Sequence, residues 1–238
     1  MTTALVFPGQ GSQTVGMGKA LAEHFPSARA VFDEVDSALG EKLSTLMFDG
    51  PENVLTLTAN AQPALMASSL AVLRVLESEC GFDLAKSAKF VAGHSLGEYS
   101  ALAAAGSLTI ADTARLLRIR GNAMQKAVPV GEGAMAAIIG LDFAIVNSIA
   151  TEAARELYLT GAICEVANDN GGGQVVISGT KAAVEKAMEL AKLKGAKRAL
   201  ALPVSAPFHC SLMHPAADAM KEALAKVEVK APKVPLIA

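Results

Sequence analysis

The sequence predicts an α/β chain, and three observations carry that prediction. Short apolar runs of strand length alternate with longer stretches whose apolar residues recur at helical spacing. Glycine and proline clusters punctuate the changeovers. The composition, 52% hydrophobic and 18% charged with no tryptophan over 238 residues, suits a globular chain whose core is aliphatic.

The elements follow in order. "ALVF" at 4–7 is a short apolar strand that stops at the loop composition "PGQGSQ", with a helix expected near Met17. Helical spacing runs from Gln62 to Glu79, with Pro63 placed in a first turn, where its missing N–H costs nothing. "KFVAG" (89–93) reads as a strand, and "EYSALAAAG", rich in helix formers, as a helix capped at Gly106. Thr109 and Asp112 have the spacing of a capping box that opens a helix through "ARLLRIRGNAMQKAV". Pro129, Gly131 and Gly133 then break the pattern and mark a boundary.

Beyond it the signals are strand at 134–140, helix at 142–157, strands "ICEVAN" and "GQVVISG" around the turn "DNGGG", helix at 180–194, and strand "KRALALPV". That β-α-β-β-α-β order is the pattern of a ferredoxin-like unit. The expected organisation is a discontinuous large domain, 1–130 and 203–238, with a small domain, 131–202, inserted into it.

Composition excludes several function classes. A net charge of −2 argues against a nucleic-acid binder. Cys80, Cys164 and Cys210 form no C-x-x-C pair, so neither a disulfide framework nor a zinc site is supported, and a reducing compartment fits. The N-terminal apolar stretch is too short for a signal-peptide core, and no run reaches the roughly 18 apolar residues of a membrane span. The expected location is the cytoplasm.

The chemistry-bearing motif is Gly93-His94-Ser95-Leu96-Gly97, a G-x-S-x-G sequence between a strand and a helix. In a nucleophile elbow the turn is tight enough that only glycine fits on either side, the serine Oγ is held exposed, and the next N–H, here that of Leu96, can donate to an oxyanion. The bland alternative is a glycine-rich turn that merely closes a strand. A serine nucleophile needs a base. His94 adjoins the serine and points away across the turn, supporting the elbow. His24 falls in a surface helix, and His214 precedes Pro215 at a helix start. His209 lies in a loop after a strand, within "SAPFHCSLMHP", and is the favoured base. "FPGQGSQ" is neither a P-loop nor a dinucleotide fingerprint. It reads as a plain loop, or as a backbone that brings the Gln10 N–H to the active site as a second oxyanion donor.

"FPGQGSQ", "QPALMASS", "GHSLGEYSAL", "IRGNAMQ" and "VSAPFHCSLM" occur in order along the whole chain. Together they resemble the malonyl-CoA:acyl-carrier-protein transacylase family of fatty-acid synthesis. The resemblance implies an α/β-hydrolase-like large domain with a ferredoxin-like insertion. It implies Ser95 as nucleophile, His209 as base, Gln10 and Leu96 as oxyanion donors, Arg120 as ligand of the malonyl carboxylate, and Gln62 as a pocket residue. The partners implied are malonyl-CoA and a phosphopantetheinylated acyl carrier protein, with no metal or other cofactor, no nucleic acid and no membrane; a monomer is expected. Family members continue for several tens of residues past a strand like "VPLIA", so the sequence looks like one lacking that C-terminal segment.

Taken without the family, Arg120 is one of three arginines on one helix, with Arg115 and Arg118, and reads as a helix-surface residue. Two other functions stay open at this point: a serine carboxylesterase or thioesterase, which would need an acid between serine and histidine in chain order, and a non-catalytic acyl- or carrier-binding module. Lys181, Lys186, Lys192, Lys194, Lys197 and Arg198 crowd the segment before His209 and form either a solvated face or a surface for an acidic carrier.

Overall fold

A computed structural model describes residues 3–129, 131–204 and 206–238. Val130, at the expected domain boundary, and Ser205, in the stretch before His209, lie outside the described residues. The fold is α/β with one parallel and one antiparallel sheet. The chain forms two compact units, Met1–Asn122 with Ala219–Ala238, and Ala123–Asp218.

The first unit is built around three parallel strands, β1 (Ala4–Phe7), β2 (Phe90–Gly93) and a short final strand at Leu236–Ile237, in the order β1, β2, final strand. Ala4 to Phe7 pair in register with Phe90 to Gly93. Parallel pairing requires long crossovers, and here the crossover is helical. It contains α1 (Lys19–His24), α2 (Pro26–Leu39), α3 (Leu43–Asp49), α4 (Glu52–Leu55), α5 (Thr58–Cys80) and α6 (Leu84–Ser87). Four of these, α1 to α4, fall in a stretch where the periodicity named only a helix near Met17. The core is aliphatic with a few aromatics, and Phe32, Met47, Leu55, Met66, Leu70, Leu96 and Leu117 are almost fully buried.

α5 corrects one expectation. It starts at Thr58, so Pro63 lies inside the helix and not in its first turn. A proline there cannot donate to the carbonyl of residue 59. Arg118 fills the vacancy: its Nη1 donates to the Ala59 carbonyl at 2.6 Å and to Asn60 Oδ1 at 2.6 Å. Arg118 belongs to α8 (Ile110–Ala127), which follows α7 (Gly97–Ala104). The box at Thr109 forms as expected, the Asp112 N–H donating to Thr109 Oγ1 at 3.0 Å and the hydroxyl to Asp112 Oδ2 at 2.7 Å. Gly121 lets α8 touch the start of α5, since a Cβ there would lie 2.6 Å from Ala59 Cα and 2.7 Å from the Thr58 carbonyl oxygen. That close approach is what "RGN" encodes.

The second unit holds β3 (Gly133–Ile139), α9 (Phe143–Glu156), β4 (Cys164–Asp169), β5 (Gln174–Thr180), α10 (Lys181–Leu193) and β6 (Arg198–Ala201), followed by the His209 loop and the start of α11 (His214–Leu224). Its sheet is antiparallel in the order β4-β5-β3-β6, with a bulge between Val166 and Asn168 on β4. Ala136, Ile138, Val146, Ile149, Ile177 and Val184 form the core under α9 and α10. The strands and helices match the β-α-β-β-α-β signals to within a residue or two, apart from β6, which stops at Ala201 where the sequence reading ran on to Val204.

Candidate active site

The turn that carries Ser95 is forced by its two glycines. β2 ends at Gly93 and α7 begins at Gly97. A Cβ on Gly93 would fall on the backbone of Gly97, and a Cβ on Gly97 would fall on the Phe7 carbonyl. The His94 N–H donates to the Phe7 carbonyl at 3.1 Å, and the Gly97 N–H closes the turn onto the His94 carbonyl at 3.0 Å. Ser95 is thereby held at φ 55°, in the left-handed region. Such a conformation costs a non-glycine residue about 1–3 kcal/mol and clusters at functional sites. Among the described residues one other non-glycine residue has a positive φ, His209 at 60°. The two residues selected from sequence as nucleophile and base are the two that carry this strain. His94 is exposed, and a Cβ on Gly9 would lie 2.7 Å from its Nδ1, so the imidazole packs on the loop after β1.

A chain of hydrogen bonds links the other site residues of the first unit. Arg120 Nη2 donates to Ser95 Oγ at 3.0 Å, and Nη1 donates to Gln62 Oε1 at 2.7 Å. Gln62 Nε2 donates to Thr58 Oγ1 at 3.0 Å, and the Thr58 hydroxyl donates to Gln10 Oε1 at 2.7 Å. Ser95, Arg120, Gln62 and Gln10, picked from four separate stretches of sequence, are thus brought together. For the Gln10 and Leu96 N–H groups, the two expected oxyanion donors, no hydrogen-bond partner occurs among the described residues.

The three arginines of α8 separate by what they touch. Arg115 is exposed and pairs with Asp112 of the same helix at 3.0 Å. Arg118 ties α8 to the start of α5 and to Glu41. Arg120 faces the serine, its Cζ 5.9 Å from the centre of the Tyr99 ring. Burial pushes the Arg120 pKa down, while Tyr99 and Glu98 push it up. None of the ion pairs among the described residues involves Arg120. A half-buried guanidinium held by an amide, a hydroxyl and a ring face has the chemistry to receive an anion.

His209 is exposed and sits in the second unit, between buried Phe208 and Cys210. Glu165 of β4 anchors the loop just beyond it: Oε2 accepts from the Ser211 N–H at 2.8 Å and Oε1 from its hydroxyl at 2.7 Å. A cysteine beside a histidine invites comparison with a Cys–His pair, but burial raises the Cys210 thiol, and burial pushes the Cys164 thiol up to about 12. Neither supplies a thiolate at neutral pH. His214 opens α11, and His24 ends α1, where its Nδ1 lies 2.8 Å from the Ala20 carbonyl oxygen. Among the described residues no cluster of three or more His, Cys, Asp or Glu side chains could hold a metal ion, and no helix is long and apolar enough to cross a membrane.

Comparison with known proteins places the chain in a family. The acyl transferase domain profile matches residues 4–238. The malonyl CoA-acyl carrier protein transacylase of Bacillus subtilis is 51% identical over 234 residues, covering 98% of this chain and 71% of its own. The chain belongs to the malonyl-CoA:acyl-carrier-protein transacylase family. The acyl-carrier-protein S-malonyltransferase of Bartonella henselae superposes with a TM-score of 0.94 at 64% identity, covering 100% of this chain and 74% of that one. A malonyl-transacylase solved in complex with its type II PKS acyl-carrier protein superposes at 0.92 with 45% identity, covering 100% of this chain and 74% of that one.

Three residues in contact with the candidate residues of their own unit or the loop that carries them, Thr58 and Tyr99 in the first unit and Glu165 in the second, escaped the sequence reading. Thr58 stands in "LTLTANAQP", where nothing marks it apart from Thr56. Tyr99 lies in α7, four residues past the serine, in a stretch that the sequence marks only as rich in helix formers. Glu165 is an acid between serine and histidine in chain order, but its strand setting hid it.

Proposed function

We propose that the chain transfers a malonyl group from coenzyme A to the phosphopantetheine thiol of an acyl carrier protein through a malonyl-Ser95 ester. The observation that carries this reading is Arg120, a half-buried guanidinium with no carboxylate partner among the described residues, hydrogen-bonded to the Oγ of a strained serine at an elbow. A thioester whose acyl group ends in a free carboxylate supplies the missing anion, and a planar guanidinium pairs with it bidentately.

In this mechanism His209 accepts the proton of Ser95 Oγ as the oxygen attacks the thioester carbon. The tetrahedral oxyanion is held by the N–H groups of Gln10 and Leu96. The C–S bond breaks, the proton passes from His209 to the leaving sulfur, and coenzyme A departs. The carrier thiol repeats the sequence in reverse: its proton goes to His209, its sulfur attacks the ester, and Ser95 regains its proton. Gln62 fixes the guanidinium while the carboxylate binds.

The catalytic domain in this reading is the discontinuous 1–130 and 203–238, α/β-hydrolase-like by its parallel strands and glycine-flanked elbow, with 131–202 as a ferredoxin-like insertion by its strand order. The three free thiols, two of them buried, support a cytoplasmic setting. Incubation with labelled malonyl-CoA tests the reading. A malonyl adduct on Ser95 that passes to added carrier protein, and is lost in Ser95→Ala, is the expected result. Rapid release as free malonate would point to a hydrolase, and an undiminished adduct in Ser95→Ala would remove the serine from the mechanism.

A further inference from the structure

We infer that Thr58 is a positioning residue for Arg120 and so a determinant of the preference for a carboxylate-bearing acyl group. This rests on the reading of Arg120 given above. Thr58 is fully buried at the start of α5 and makes two directed hydrogen bonds, accepting from Gln62 Nε2 and donating to Gln10 Oε1.

The direction of those bonds matters because a glutamine amide can be turned end for end at little steric cost. Arg120 has donors only, so Gln62 must present its carbonyl oxygen to Nη1 and its NH2 group to Thr58. Thr58 accepts from that NH2 because its single hydroxyl proton is directed at Gln10. The chain of donors therefore runs one way, from guanidinium to amide to hydroxyl to the Gln10 side chain. Gln62 is 1% exposed, so its amide cannot turn to solvent if the Thr58 acceptor is removed. The amide then loses a hydrogen bond that solvent cannot replace, its carbonyl is less firmly aimed, and the brace on Arg120 Nη1 weakens.

Thr58 sits where it can do this because Gly121 brings α8 within van der Waals contact of the Thr58 carbonyl, one residue after Arg120 itself. The same backbone approach seats the helix that carries the guanidinium and the helix that braces it. A hydroxyl is required at position 58; an isosteric methyl fills the space but neither accepts nor donates.

The experiment measures kcat/KM for acyl-enzyme formation from malonyl-CoA and from acetyl-CoA in Thr58→Val, Thr58→Ser and Arg120→Ala. Thr58→Val is expected to lower the malonyl-to-acetyl ratio about tenfold, the equivalent of one buried hydrogen bond, and Thr58→Ser to restore it. A wild-type ratio in Thr58→Val, or a ratio in Thr58→Ser as low as in Thr58→Val, overturns the inference. Should the valine variant fail to fold, Gln10→Met removes the far anchor from an exposed loop and must shift the ratio the same way; no shift there is equally fatal. Arg120→Ala distinguishes the two levels, because a preserved ratio in that variant refutes the reading of Arg120 itself, whereas a lost ratio with Thr58→Val unmoved refutes only the role of Thr58.

Discussion

The Arg120 guanidinium donates from Nη2 to the Oγ of Ser95 at 3.0 Å. A hydroxyl that accepts from a cation has one lone pair engaged and is a poorer nucleophile for it. In the proposed mechanism an arriving carboxylate would compete for the same Nη2 and release the oxygen from this bond. Arg120→Ala should therefore act in opposite senses on two thioesters. Malonyl-CoA acylation should fall by about 3–5 kcal/mol in kcat/KM terms, as when one partner of a buried pair is removed. Acetyl-CoA acylation should persist or rise. A parallel loss for both would show that Arg120 holds the fold instead.

His209 and His214 are separable by the same kind of measurement. His209 has the strained backbone, at φ 60°, while His214 is the ordinary first residue of α11. His209→Ala should reduce acylation by roughly 10²–10⁴, the usual worth of general acid–base catalysis, and His214→Ala should leave it near wild type. Reversed effects would show that the base had been misassigned.

How much of this was legible in the sequence differs by element. The elbow was readable because glycine at 93 and 97 answers a steric demand that no other residue meets, and the box at Thr109 because its reciprocal bonds need only local spacing. Pro63 misled because its missing hydrogen bond is repaired from another helix, by Arg118, which no local pattern encodes. Thr58 was invisible for a related reason: its two partners lie at Gln10 and Gln62, and a buried threonine at a helix start looks like any cap. Arg120 could not be told from Arg115 and Arg118 until the helix packing showed which of them faced the serine.

The lysine cluster near the end of the second unit is thinner than its sequence suggests. Lys186 pairs with Glu156 at 2.8 Å and Lys194 with Glu152 at 2.6 Å, both across to α9. Lys192, Lys197 and Arg198 are exposed and take part in no ion pair among the described residues. If an acidic carrier docks here, reversal at Lys192 and Lys197 should raise the carrier KM and leave malonyl-CoA acylation alone, with a stronger effect at low salt. Reversal at Lys186 and Lys194 should instead destabilise the helix pair. A carrier KM that ignores both changes would assign the cluster to solvation.

Glu165 offers the sharpest contrast with Arg120. Its carboxylate accepts both the N–H and the hydroxyl of Ser211, two residues past His209, and so pins the loop on which the proposed base is strained into a left-handed turn. Removing the carboxylate in Glu165→Ala should lower unfolding free energy by about 1.5–3 kcal/mol, the range for a hydrogen bond to a charged group. Because a general base, the role proposed for His209, would serve every thioester alike, the variant should depress malonyl-CoA and acetyl-CoA acylation by the same factor and leave their ratio unchanged. Glu165→Gln retains an oxygen for the N–H and can donate to the hydroxyl oxygen, so it should recover most of both losses. A shifted malonyl-to-acetyl ratio in Glu165→Ala would mean that the His209 loop also takes part in reading the acyl group, and the division between a selectivity apparatus at Arg120 and a proton-transfer apparatus at His209 would then fail.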